Sequence, residues 1–119
     1  MAVMTFELQD GFNFGEAVYH EVGLKELSPK DVFDAQMAAE KIGIVEGRPY
    51  AYTSDVQMGM ELLCRQVEFI GSVQGPISVK EILKLSPKDF ALLQMKATEL
   101  DQVLFEDDTL EAVEVRGRG

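Results

Sequence analysis

Leu27-Ser28-Pro29-Lys30-Asp31-Val32 reads as the opening turn of a helix, and the phrase returns as Leu85-Ser86-Pro87-Lys88-Asp89-Phe90. The serine hydroxyl accepts a backbone N–H that a helix start leaves without a partner. Proline follows where no N–H is needed, and the aspartate meets the positive end of the helix dipole. Leu27 with Val32, and Leu85 with Phe90, stand at the spacing of a hydrophobic staple. Two capping boxes, Ser54-Asp55-Val56-Gln57 and Ser78-Val79-Lys80-Glu81, mark two more starts, the second with an Ile77–Ile82 staple. Helices are therefore expected at residues 29–42, 55–70, 79–84 and 87–104, with Gly43 and Gly71 as left-handed stops for the first two.

Apolar spacing agrees with these bounds. Val56, Met60, Leu63, Val67 and Ile70 step by 4, 3, 4 and 3, and Phe90, Leu93, Ala97, Leu100 and Leu104 by 3, 4, 3 and 4. Each series traces one face of a helix, for a core or for a partner. The echo between the two proline caps keeps an offset of 58 and extends from Gln36-Met37 to Gln94-Met95. A duplicated helical unit or two good caps of one kind would each produce it.

Upstream, Thr5-Phe6-Glu7-Leu8-Gln9 alternates apolar and polar residues as a half-buried strand does. Asp10-Gly11 is a hairpin turn signal, and Phe12 to Phe14 and Ala17 to Val22 are strand-like, with Gly15 breaking the run. Gly43 to Thr53 reads as a loop in which Tyr50-Ala51-Tyr52 can form a short strand. The expected fold is α+β and mostly helical: an N-terminal β-hairpin followed by about four α-helices. Residues 1–105 form a single globular domain, and 106–119 a flexible acidic tail. Glu106-Asp107-Asp108 is the densest part of that tail, either a solvated end or a peptide that docks on a basic partner.

Composition narrows function by exclusion. The formal net charge of −10 over 119 residues opposes binding to nucleic acid or to an anionic membrane surface, since both rest on Lys and Arg. It suits solubility and a basic protein partner. No run is long enough to cross a membrane, and Met1 to Asp10 lacks the pattern of a signal peptide, so a cytoplasmic location is expected. Cys64, the sole cysteine, lies in the apolar pattern Met60-Leu63-Cys64-Val67 and reads as a small buried hydrophobe. An internal disulfide and a cysteine-based zinc site are both excluded.

Catalysis finds no foothold in the chain. A Ser–His or Cys–His pair would need His20, the one histidine, which sits where strand alternation puts a surface or edge residue. No phosphate-binding glycine motif is present, and Gly71-Ser72-Val73-Gln74-Gly75 reads as a connector. The acidic triplet lacks the spacing of a calcium loop. No enzyme, cofactor or metal site is expected. Met58, Met60 and Met95, adaptable side chains in or beside the helical stripes, and Glu106, Asp107 and Asp108 are the candidate partner-binding residues.

Several phrases together resemble a known family. They are Val22-Gly23-Leu24-Lys25-Glu26-Leu27-Ser28-Pro29-Lys30-Asp31, then Asp34-Ala35-Gln36, Leu62-Leu63-Cys64-Arg65-Gln66-Val67 and Gln74-Gly75-Pro76-Ile77-Ser78. Leu83 to Gln94 completes the series. The arrangement, over residues 5 to 104, resembles the tail assembly chaperones of Mu-like phages and prophages. The resemblance implies a non-catalytic protein that binds the tape-measure protein, keeps it soluble during tail morphogenesis and is absent from the mature virion. A frameshifted longer form of the same chain is a further partner in such systems, and self-association through an uncovered stripe would make a homo-oligomer. The alternative is a small acidic phage-encoded regulator or DNA mimic that blocks a DNA-binding protein. A helix-turn-helix DNA binder ranks last, because the second helix offers only Lys88 and Lys96.

Overall fold

The fold, described from a computed structural model, covers the backbone of residues 2–118 and the side chains of 2–104. The elements run β1 (Met4–Phe14), β2 (Ala17–Leu24), α1 (Pro29–Ala38), β3 (Glu40–Val45), β4 (Arg48–Thr53), α2 (Asp55–Gln66), β5 (Val67–Ile70), β6 (Val73–Gln74), α3 (Val79–Ile82) and α4 (Pro87–Arg118). Strands β1-β2-β5-β6 form one antiparallel sheet in that order, and β3-β4 form a second.

The expectation of a mostly helical chain after the first hairpin is thus wrong. Six strands in two sheets accompany the four helices. Two local misreadings account for it. The helix expected over 55–70 stops at Gln66, and Val67–Ile70 is a strand paired with β2. Its buried Val67 and Ile70 continue the apolar spacing because a bulge, where pairing shifts between Gly23 and Leu24, sets Val67 opposite Leu24 and Ile70 opposite Val22, on one face. The helix expected over 29–42 stops at Ala38, and the stretch read as a loop is the β3–β4 hairpin. Gly43 lies inside β3 and stops no helix, and Gly71 turns β5 into β6.

Within the first hairpin, Asp10-Gly11 is not the turn. The turn is at Gly15-Glu16, while Gly11 takes φ 97° in a bulge of β1, where pairing with β2 shifts between Glu7 and Phe12. Glycine satisfies both geometries, so sequence alone gave the wrong one.

The four helix starts are where the caps put them. Ser28, Ser54, Ser78 and Ser86 accept from the N–H of Asp31, Gln57, Glu81 and Asp89 at 3.1, 3.3, 3.3 and 3.2 Å. The core lies between the large sheet and helices α2 to α4. Leu8, Phe12, Val22, Leu24, Val67 and Ile70 come from the sheet, Leu63 and Cys64 from α2, Ile82 from α3, and Leu93, Ala97 and Leu100 from α4. Each large apolar side chain buried there contributes about 1.5–3 kcal/mol. Gln66, also buried, donates to Asp101 at 3.0 Å and ties the end of α2 to α4.

One polar clasp closes the body. Asp89 is fully buried, and its carboxylate accepts from the backbone N–H of Gln9, Asp10 and Gly11 at 2.8, 2.9 and 2.9 Å. The bulge in β1 releases those three N–H groups from the ladder, and the aspartate in the first turn of α4 collects them.

Candidate functional site: an uncovered arm and an acidic groove

Helix α1 has Phe33, Val32 and Met37 on one side and Ala35 and Ala39 on the other. The two alanines are fully buried, and the three larger residues remain exposed. The chain then runs directly into β3. Glu46-Gly47 turns it back with φ 51° and 78°, the two positive angles of a type I′ hairpin turn. Ser54 N–H donates to Ala39 O at 3.0 Å, so the two ends of the hairpin meet.

Apolar side chains stand on both faces of this arm. By its register, Ile42, Ile44, Pro49 and Ala51 share one face, and Lys41, Val45, Arg48, Tyr50 and Tyr52 share the other. Ile42 and Ile44 are 77 % and 74 % exposed. The Tyr50 and Tyr52 rings lie 5.6 Å apart. A Cβ on Gly43 would fall 2.7 Å from the Tyr50 ring, so glycine leaves the space that the ring crosses. Of the fifteen large exposed hydrophobics among the described residues, nine fall between Val32 and Val56. Concentration of that kind singles this region out as the candidate interaction surface.

Beside the arm, α2 and α4 border a groove of about 460 Å³. Leu27, Val56, Met60 and Leu63 give it an apolar floor, Asp55 and Asp101 supply negative charge, and no Lys or Arg lines it.

The methionines proposed as partner contacts do not converge. Met60 is half-buried against the core and lines this groove, and Met58 is half-buried on the same helix. Met95 is exposed and lies in a separate cleft with Gln9, Lys88, Ala91 and Leu92. Glu106, Asp107 and Asp108 lie outside the residues whose side chains are described. Of the arm, sequence reasoning caught only the Tyr50-Ala51-Tyr52 strand, which lies inside β4; it missed β3, although Ile42, Ile44 and Val45 carry the β-branched content of a strand.

Reactive groups elsewhere are held quiet. Cys64 is buried, and that burial pushes its thiol up to about 11, with Glu61 adding to the effect and Arg65 opposing it. His20 is exposed on β2 with Nδ1 3.0 Å from the Leu8 carbonyl oxygen. Among the described residues, no three His, Cys, Asp or Glu side chains are placed to hold a metal, and no helix is long and apolar enough to cross a membrane.

The chain is thus a folded α+β body bearing an apolar arm, and sequence relationships say to which family it belongs. The chain belongs to the family of Mu-type phage proteins described as tail assembly protein gp41, which it matches over residues 8–118. It is 40% identical over 100 residues to the probable tail assembly protein gp41 of Escherichia phage Mu, covering 81% of this chain and 69% of that one. The same identity holds against that phage's probable tail assembly protein FS-gp41, of which 53% is covered. It is 34% identical over 116 residues to the Mu-like prophage FluMu protein gp41 of Haemophilus influenzae, covering 97% of this chain and 87% of that protein. No solved structure matches the chain. The role that this membership carries is phage tail assembly.

Proposed function

We propose that this chain is a tail assembly chaperone that binds the tape-measure protein and keeps it soluble in the host cytoplasm. In this reading it catalyses nothing, and it leaves before the virion is complete. The observation that carries the reading is the clustering of exposed apolar side chains on α1 and the β3–β4 arm. An amphipathic helix of a long, aggregation-prone partner would be covered by the aliphatic face of Ile42, Ile44, Pro49 and Ala51, with Phe33 and Met37 exposed on α1 as further apolar contacts. The net charge of −10 keeps such a complex soluble while its apolar surfaces are occupied.

Co-expression with the tape-measure protein of the same phage tests this directly. With the wild-type chain, the tape-measure protein should move to the soluble fraction and co-purify. The double substitution Ile42→Glu/Ile44→Glu should return it to the insoluble fraction while the variant itself stays folded by circular dichroism. A tape-measure protein equally soluble with and without this chain would end the chaperone reading.

A further inference from the structure

The two faces of the arm differ in charge, and that difference points to a second occupant. Lys41 and Arg48 both lie on the tyrosine face, and neither has an ion-pair partner among the described residues. The aliphatic face carries no base. Lys41, Val45, Arg48, Tyr50 and Tyr52 therefore make a cationic, aromatic ribbon on a molecule whose net charge is −10. Glu40 and Glu46 bring the arm as a whole to neutrality, so the acidic body sets the sign of the molecule.

A surface that fits this ribbon is present on the same chain. The α2–α4 groove is apolar along Leu27, Val56, Met60 and Leu63, negative at Asp55 and Asp101, and free of bases. Its shape is an open cleft of about 460 Å³, room for large side chains to enter. The arm does not fill its own groove: none of residues 40–53 lines it. A two-stranded sheet alone in water is marginally stable, so an arm uncovered on both faces gains from a lid.

We propose that the tyrosine face of the arm docks in the α2–α4 groove of a second copy of this chain. Aromatic rings on an apolar floor supply the contact area, and Lys41 and Arg48 against Asp55 and Asp101 fix the register. The contact joins two different patches, so it either closes by reciprocal exchange of arms or runs on from copy to copy. It leaves the aliphatic face of the arm free, and it therefore stands or falls independently of the tape-measure reading.

Sedimentation equilibrium on the full chain between about 1 and 100 μM tests the proposal, with concentrations chosen to bracket a weak, micromolar contact. The wild type should self-associate. Lys41→Glu/Arg48→Glu, an arm reversal, and Asp55→Lys/Thr98→Lys, a groove reversal that leaves the Gln66–Asp101 bond intact, should each weaken association by about tenfold or more. The two variants mixed should associate again, because the reversed arm of one matches the reversed groove of the other. Restoration on mixing cannot come from unfolding, which separates docking from a structural defect. A wild type monomeric at the highest concentration would overturn the proposal. So would unchanged masses in the variants, or variants that dissociate but do not recombine, the last result placing the lid on another partner.

Discussion

Asp31 and Asp89 occupy the same place in the same five-residue phrase, yet they do different work. Asp31 closes a capping box, accepting from Ser28 N–H at 2.9 Å, and takes the Lys25 ammonium at 2.6 Å. Asp89 turns away from its own cap and collects three N–H groups from residues 78 to 80 positions earlier. The cap was legible because it is chemistry between near neighbours. The reach of Asp89 was not, because nothing in Ser86-Pro87-Lys88-Asp89 names a strand bulge so distant in the chain. The counterpart of Lys25 in the second phrase is Leu83, so no cation stands ready to hold Asp89 locally. Asp89→Ala strands three N–H groups and should cost about 3–5 kcal/mol in urea unfolding, against about 1 kcal/mol for Asp31→Ala. The pH behaviour of Asp31 follows from its partners. The Lys25 side chain, then Ser28 N–H, lower its carboxyl from 3.8 to about 2. Its stabilising contribution is therefore complete above about pH 4 and fades as pH falls towards 2. Lys25→Ala should shift the carboxyl titration of Asp31, followed by NMR, upward towards its ordinary value.

Where elements begin was readable, and where they end was not. Helix starts have their own residues, and all four serine caps are in place. Helix ends here lack such marks: α1 passes through Ala39 straight into β3, and α2 passes without a break into β5. Beyond Tyr50-Ala51-Tyr52, the hairpin escaped notice because a strand apolar on both faces shows no alternation, and because Glu46-Gly47 is not among the strongest hairpin turn pairs. As an element, the arm is separable. Its ends are joined by the Ser54–Ala39 hydrogen bond, and its own residues are nearly all exposed. Replacing residues 40–53 with a short Gly-Ser link should therefore leave the body folded, with Tm moved by less than about 5 °C. The same excision should abolish both partner solubilisation and self-association. A cooperative unfolding transition that is lost on excision would show instead that the arm is part of the core.

At the scale of the whole molecule, the proposed binding surface lies apart from the main core. The core joins the large sheet to α2, α3 and α4, while the densest apolar exposure lies on α1 and the arm. The composition gave the acidic character. It could not say which apolar residues stay outside, since Leu63 and Ile42 look alike until packing assigns them. Cys64 reports on that packing. Buried in the core, with its thiol pushed up to about 11, it should resist aromatic disulfide reagents at pH 7.5 in the native protein and react only as the body opens. Its labelling rate should rise steeply across the urea transition and stay unchanged on arm excision. The Asp89 clasp also has a consequence for how the chain comes into being. During translation, the bulge at Gln9 to Gly11 is made first, and the carboxylate that completes it is added about eighty residues later. Until then the first hairpin lacks its fastening and the face that α4 will cover. A chain cut short before Ser86 would lack that fastening, and added protease should digest it faster than the full chain.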